Sequence, residues 1–202
     1  MSEVRRVHDV SGVPTHAFSH HNLVWWGTVG FIVVEGFTLF LMMASYLYLR
    51  LNELDWPPGD TRLPELLIPT INTLLLLVTI VPMAKASHAA HHSDRLAVAR
   101  WLWLATALSA VSSVLRVFEL RGLNVRWDSN AYGSAAWGLL ILHTTLLVVD
   151  LFETGAFAVL FQLGHAQRKH FPDVSDAADY QYYLSVIYVP IYLILFWGPR
   201  LL

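Results

Sequence analysis

The chain has 202 residues, of which 55% are hydrophobic and only 14% carry a formal charge. Soluble globular domains carry about 25% charged residues, so this composition excludes an ordinary water-soluble globule, and its apolar content excludes a disordered chain. The formal net charge of −2 gives no indication of nucleic-acid binding. The absence of cysteine excludes disulfides, thiolate catalysis and iron–sulfur clusters.

Five apolar runs follow a polar N-terminal tail at residues 1–22, and each is about long enough to cross a bilayer as a helix. In chain order they cover residues 23–49, 66–84, 101–120, 132–163 and 180–202. The fourth run is too long for one perpendicular span, so it must tilt or project from the membrane. We predict an all-α protein, a single membrane domain built as a bundle of five transmembrane helices.

The distribution of basic residues gives an expected orientation. With five spans, the N-terminal tail, the polar stretch 85–100 and the linker 165–179 lie on one side of the membrane. That side carries seven Lys and Arg residues, against five or six on the other. Because cytoplasmic segments are enriched in Lys and Arg, this bias favours an N-terminus in the cytoplasm.

Glu35 lies near the middle of the first span, where an unpaired carboxylate is costly. One interpretation is a neutral acid that is hydrogen-bonded to a neighbouring helix or a water. The other is a carboxyl group that lines a lipid cleft or takes part in proton transfer. Proton relays need several such groups in line, and this helix has one at this depth, so we do not expect a complete relay in this chain.

Two further sets of polar residues lie within or beside the apolar runs. Arg116 and Glu119 are three residues apart, which places them on one helix face and predicts a structural ion pair. His143, Asp150 and Glu153 are spaced by seven and three residues, and so share a stripe of the fourth helix. This stripe predicts either a polar seam or half of a metal site. The Glu-x-x-His pairs of helical di-iron bundles are absent, which favours the seam.

Eight histidines form three clusters that five spans would place on one membrane side. They are His16, His20, His21, His88, His91, His92, His165 and His170. Imidazole is the commonest ligand for transition metals in proteins, and the pattern is similar to the histidine boxes of membrane di-iron desaturases and hydroxylases. However, the H-x4-H cluster is the last of the three in this chain, whereas the histidine boxes of those enzymes resemble a pattern in which it comes first. A di-iron enzyme, which would hold about two irons per chain, stays an alternative hypothesis.

In order along the chain, the polar landmarks resemble subunit III of the haem–copper respiratory oxidases, from about Trp25 to Gly198. The run W-G-x-x-x-F-I-x-x-E at residues 26–35 resembles the helix that carries the family's intramembrane glutamate, with Glu35 at that position. Residues 69–73 resemble its P-x-x-N-T helix start and include Asn72. Residues 91–95 resemble its histidine-rich loop, with His91, His92 and a basic Arg95.

The second half of the chain extends the resemblance and also departs from it. Glu119 matches a glutamate late in the next helix, and residues 131–134 resemble the Y-G-S start of the long helix that carries His143. The family's second histidine is absent from residues 141–146, and its W-H-x-x-D pattern is absent from residues 181–185. These departures keep the accessory subunit of a nitric oxide reductase as an alternative.

The resemblance implies a subunit that is not catalytic alone, within a cytochrome c oxidase-type complex of aerobic electron transport. It implies support of assembly, lipid binding and sustained proton uptake, with haem and copper in the catalytic subunit I and none bound by this chain. The expected partners are subunit I, other oxidase subunits and membrane phospholipid, in a bacterial cytoplasmic membrane. Independently, one intramembrane histidine and no cysteine are too few ligands for the haem- or copper-bearing subunits.

A small transporter is the third class considered, but it would need several intramembrane charges that converge on one path. We therefore predict ten polar residues with a lipid-cleft or structural role and no catalytic or metal-binding residue. The ten are Glu35, Asn72, His91, His92, Arg95, Arg116, Glu119, His143, Asp150 and Glu153.

Overall fold

The computed structural model describes residues 17–59 and 61–201 and contains five long helices. They are α1 (Leu23–Asn52), α2 (Leu67–His91), α3 (Arg95–Gly122), α4 (Ala131–Leu163) and α5 (His170–Tyr192). A π-helical turn at Leu193–Trp197 continues α5 into a last helical turn at Gly198–Leu201. No strand occurs in these described ranges. All five helices are long and apolar enough to cross a membrane, which confirms the predicted all-α, five-helix architecture.

The helices extend further into polar sequence than the apolar runs do. Only three residues separate α2 from α3, although the sequence predicts a polar connection over residues 85–100. Likewise α5 begins at His170, ten residues before the predicted fifth span. Hydropathy marks where a chain meets lipid, whereas a helix ends where its backbone hydrogen bonds end. No Pro or Gly occurs in the polar end of α2, and Pro172 lies in the first turn of α5, where proline is tolerated.

Capping side chains set several of these helix ends. Asn22 accepts a hydrogen bond from the Val24 amide at 3.2 Å, and Asp94 accepts one from Ala97 at 3.0 Å. Asn130 does the same for the Gly133 amide at 2.8 Å. Each cap satisfies an amide that the first helical turn leaves without a partner.

The helices pack unevenly. Helix α2 packs against α3 and α5, and α4 packs against α3, so these four form the main body of the bundle. Helix α1 lies at the edge against α4 and α5, and only Leu39, Met43 and Tyr46 of its residues are buried. This marginal position leaves a cleft beside α1 and a wide apolar face on its outer side.

The start of α4 lies tightly under the preceding loop at Gly133. A Cβ atom at this position would overlap the carbonyl oxygen of Arg126 and lie 3.0 Å from Val125 Cγ2. Gly133→Ala is therefore expected to lower the free energy of unfolding by about 1–3 kcal/mol. Equilibrium unfolding in detergent micelles, followed by circular dichroism, measures this change.

Gly30→Ala is the matched control for Gly133→Ala, because nothing lies within 4 Å of a Cβ atom at Gly30. In this helical position alanine is expected to be neutral or to stabilise by about 0.5–1 kcal/mol. Equal effects of the two substitutions would contradict the overlap at Gly133.

Candidate functional site

Four buried side chains from three helices form a polar group in the middle of the bundle, the Arg116 cluster (Arg116, Glu119, His143 and Tyr188). Arg116 Nη1 pairs with Glu119 Oε2 one turn further along α3, and the Tyr188 hydroxyl donates to the same oxygen at 2.8 Å. The guanidinium carbon lies 4.2 Å from the centroid of the Tyr188 ring. The cluster thus joins α3 to α5 through charge, hydrogen bonding and a cation–π contact.

His143 connects α4 to this cluster in one defined tautomer. Its Nδ1 lies 3.2 Å from Arg116 Nη2, and its Nε2 lies 3.0 Å from the Leu184 carbonyl oxygen. A guanidinium nitrogen can only donate, so Nδ1 accepts and Nε2–H donates to the carbonyl. Both ring nitrogens are therefore occupied inside the bundle, and neither is free to bind a haem or a metal ion.

The structure separates the three residues that the sequence places on one stripe of α4. His143 belongs to the Arg116 cluster, whereas Asp150 is fully buried and neither of its oxygens has a hydrogen-bond partner in the described structure. Glu153 faces the cleft beside α1. The stripe is thus divided among three environments instead of forming one seam, because neighbouring helices cover different parts of it.

A second buried polar group joins α2 to α3 and α5. Ser112 donates to Asn72 Oδ1 at 2.6 Å, and Gln181 Nε2 donates to Thr79 Oγ1 at 3.2 Å and to Ser185 Oγ at 3.3 Å. Gln181 and Ser185 come from the segment that departs from the family pattern. They act here as helix–helix hydrogen-bonding groups, a common use of small polar side chains in membrane bundles.

A cleft of about 610 Å³ lies between α1, α4 and α5, and we call it the acidic cleft. Four carboxyl groups line it: Glu35, Glu153, Asp173 and Asp176. The Tyr180 hydroxyl donates to Glu35 Oε2 at 2.7 Å, so this intramembrane acid is hydrogen-bonded to a neighbouring helix. The rest of the lining is mainly apolar and includes Val24, Phe31, Val149 and Phe157.

Three residues of the cleft are absent from the sequence prediction: Asp173, Asp176 and Tyr180. The first two fall in the segment 165–179, which the apolar pattern predicts to be a linker. Their spacings of three and four residues, 173, 176 and 180, describe one face of a helix. If the fifth helix is extended back to His170, the sequence predicts this face. The cleft thus contains acids from α4 and α5 in addition to Glu35 in α1.

The described histidine clusters lie at one end of the bundle, where α1 and α5 begin and α2 and α4 end. His88 and His92 have ring centroids 4.5 Å apart, and His91 stacks on Phe18 at 4.1 Å. Also at this end are His20, His21, His165 and His170, whereas His16 lies outside the described residues. Within residues 17–59 and 61–201, no three His, Asp or Glu side chains are placed to hold one metal ion.

Arg95 has a structural position at the same end. Its Nη1 lies 3.4 Å from the Phe161 carbonyl oxygen, where α4 is ending. A cation beside the last carbonyls of a helix is favoured by the helix dipole. The basic residue at the end of the histidine-rich segment thus joins the start of α3 to the end of α4.

Comparison with known proteins gives a consistent set of relatives, although no protein-family model matches the chain. It is 25% identical over 182 residues to cytochrome c oxidase subunit 3 of Thermostichus vulcanus, which covers 90% of each chain. The protein of the same name in Synechocystis sp. is 24% identical over 192 residues, covering 91% of this chain and 80% of the relative. That of Strongylocentrotus purpuratus is 28% identical over 150 residues, covering 70% and 55%.

Proposed function

We propose that this chain, a member of the subunit III-like family of the haem–copper oxidases, supports assembly, lipid binding and sustained proton uptake in a terminal oxidase of aerobic electron transport. The observation that carries the proposal is similarity to cytochrome c oxidase subunit 3 over about nine-tenths of the chain. The proposed immediate partner is the catalytic subunit I, which would hold the haem and copper.

A non-catalytic role is consistent with how the buried polar groups are used. Both ring nitrogens of His143 are occupied by Arg116 and by the Leu184 carbonyl. Arg116 and Tyr188 in turn hold Glu119. Side chains that bond mainly to one another in this way contribute to the rigidity of the bundle. We propose that this chain binds no haem or copper itself.

The outer face of α1 supports the proposed association with other subunits. Val33, Phe37 and Phe40 share one face of this helix, and each side chain is more than half exposed in the isolated chain. In this multi-pass membrane protein, such a face is covered by lipid or by another membrane subunit. We propose that it lies in a bacterial cytoplasmic membrane with its N-terminus in the cytoplasm.

Affinity purification of the tagged chain from its native membrane tests the assignment. The expected result is co-purification of haem-containing subunits, visible in the reduced-minus-oxidised absorption spectrum, with oxygen reduction in the same fraction. Non-haem iron in a haem-free, active preparation would instead favour the di-iron alternative. Nitric oxide reduction without oxygen reduction would place the chain in the reductase branch.

The pair formed by Glu35 and Tyr180 gives a test within the assembled oxidase. Glu35→Ala removes the carboxyl group that Tyr180 holds at 2.7 Å between α1 and α5. We expect an unchanged haem spectrum and an initial turnover within about twofold of the parent. The lifetime of activity during continuous turnover is expected to shorten by up to about tenfold, since a hydrogen bond between the two helices contributes about 0.5–1.5 kcal/mol.

Tyr180→Phe, which removes only the donor, is expected to shorten the lifetime in the same direction. Glu53→Gln is the matched control, since Glu53 is an exposed acid just beyond the other end of α1. Loss of the haem spectrum in a properly assembled Glu35→Ala complex would contradict the proposed supporting role. An unchanged lifetime together with an unchanged lipid content would contradict it as well.

A further inference from the structure

We propose that His88 and His92, at the end of α2, form a peripheral site for a divalent transition-metal ion of the Zn²⁺ class. The two residues are four positions apart, so their side chains are neighbours on one side of the last helical turn. Their ring centroids are 4.5 Å apart, and both side chains are exposed. Imidazole is a common ligand of zinc and of the other late divalent transition metals. This site goes beyond the proposed oxidase role and does not depend on it.

A hydrogen bond fixes His92 in a tautomer that can bind a metal ion. Its Nδ1 lies 2.9 Å from the backbone carbonyl oxygen of His88. A carbonyl oxygen can only accept, so Nδ1 carries the proton and Nε2 carries the lone pair. In metal sites, a histidine ligand commonly donates its other ring N–H to a backbone carbonyl, which orients the ring and raises its basicity. His92 has this arrangement before any metal is bound.

The groove around the two histidines contains charges of both signs. Asp94 lines this groove, and its Oδ1 accepts a hydrogen bond from the Ala97 amide at 3.0 Å. The last carbonyl groups of α2 add partial negative charge at the same end of the helix. Lys85 also lines the groove, but its ammonium lies 4.3 Å from the centroid of the Trp101 ring, a cation–π contact that holds it against α3. The negative groups therefore offset the lysine and allow a cation to bind.

Two protein ligands predict weak and exchangeable binding. No three described His, Asp or Glu side chains are placed to hold one ion, so Asp94 contributes charge and not a third ligand. Water molecules would then occupy the remaining coordination positions of the ion. Structural zinc sites have four protein ligands, and with half as many we expect a dissociation constant on the order of 10 µM. Such a site is distinct from a di-iron centre, and the chain folds without its metal.

Other histidines at this end of the bundle differ from the pair and provide internal comparisons. His91 is adjacent in sequence, but its ring stacks on Phe18 with the centroids 4.1 Å apart. His170 has the opposite tautomer, because its Nδ1 accepts a hydrogen bond from a backbone amide at 2.9 Å and the proton is therefore on Nε2. The rings of His20 and His21 lie 3.8 Å apart, but no hydrogen bond in the described structure orients either ring.

Isothermal titration of Zn²⁺ into the full-length chain in detergent micelles tests the site, with a purification tag that contains no histidine. We expect binding with a dissociation constant on the order of 10 µM. His88→Gln and His92→Gln are each expected to weaken it by at least about tenfold, because one of the two ligands is lost. His91→Gln is the matched control and is expected to leave the affinity within about twofold of the parent, since this ring stacks on Phe18.

A second arm uses the unaltered chain and so does not depend on the folding of a variant. Diethyl pyrocarbonate modifies free imidazole nitrogens, and peptide mass spectrometry gives the rate at each histidine. With Zn²⁺ at about ten times its dissociation constant, modification of His88 and His92 is expected to slow by about tenfold, and that of His91 to stay unchanged. Equal protection of all three histidines, protection of none, or an affinity that survives both substitutions would overturn the site. Co-purification of haem tests the subunit III-like role separately.

Discussion

Arg116→Leu is expected to lower the free energy of unfolding by about 3–5 kcal/mol, because removing one partner of a buried ion pair leaves the other charge uncompensated. Arg116 and Glu119 are 1% and 0% exposed, so water cannot solvate the remaining carboxylate. The substitution also removes the guanidinium that donates to His143 Nδ1. Equilibrium unfolding in detergent micelles, followed by circular dichroism, measures the loss.

Two further variants separate the charge from the loss of side-chain volume. Arg116→Leu combined with Glu119→Gln removes the uncompensated charge but keeps an acceptor for the Tyr188 hydroxyl. It is therefore expected to regain about 1–2 kcal/mol relative to Arg116→Leu alone. Arg121→Leu, at an exposed arginine near the end of α3, is expected to change stability by less than about 0.5 kcal/mol. No recovery in the double variant would show that packing, not charge, dominates at Arg116.

Asp150→Val is expected to act in the opposite direction and raise the free energy of unfolding by about 1–3 kcal/mol in detergent without added lipid. Valine is similar in size to aspartate but has no polar atom to bury. Asp150 is fully buried on α4, and neither of its oxygens accepts a hydrogen bond within the described chain. The same detergent unfolding experiment measures the gain.

Thr154→Val provides the matched comparison for Asp150→Val. Thr154 lies one turn further along α4, and its buried hydroxyl also has no partner in the described structure. Because a hydroxyl costs less to bury than a carboxyl group, its removal is expected to give a smaller gain. Destabilisation by Asp150→Val of more than about 1 kcal/mol would show that this carboxyl group has a favourable partner in the folded protein.

The number and class of the helices could be predicted from the sequence because both follow from local composition. A run of about twenty apolar residues must satisfy its backbone hydrogen bonds internally wherever it meets lipid. The ion pair of Arg116 and Glu119 could also be predicted from the sequence, since side chains three residues apart on one helix are neighbours. The ordered polar landmarks, Glu35 among them, also pointed to the family that the relatives support.

The helix ends could be predicted less well from the sequence, since the apolar pattern marks the residues that contact lipid and not the residues where the helical backbone ends. The segment 165–179 contains Pro172 and several charges, yet most of it is helical from His170 onward. Proline in the first turn of a helix is tolerated because its missing amide would have no helical partner there. Because the sequence prediction begins the fifth helix ten residues too late, it misses Asp173 and Asp176, which are two of the four acids of the cleft.

Composition alone, with 14% charged residues and no cysteine, determined that this is a membrane chain without thiolate chemistry. Tertiary structure alone decided where the few charges meet. It placed His143 between Arg116 and Leu184, left Asp150 without a partner, and joined Glu35 to Tyr180 across 145 positions of sequence. The physical reason is that the cost of a buried charge depends on what the neighbouring helices present to it. Helix packing determines which groups the neighbouring helices present, and the spacing of residues along one helix does not specify that packing.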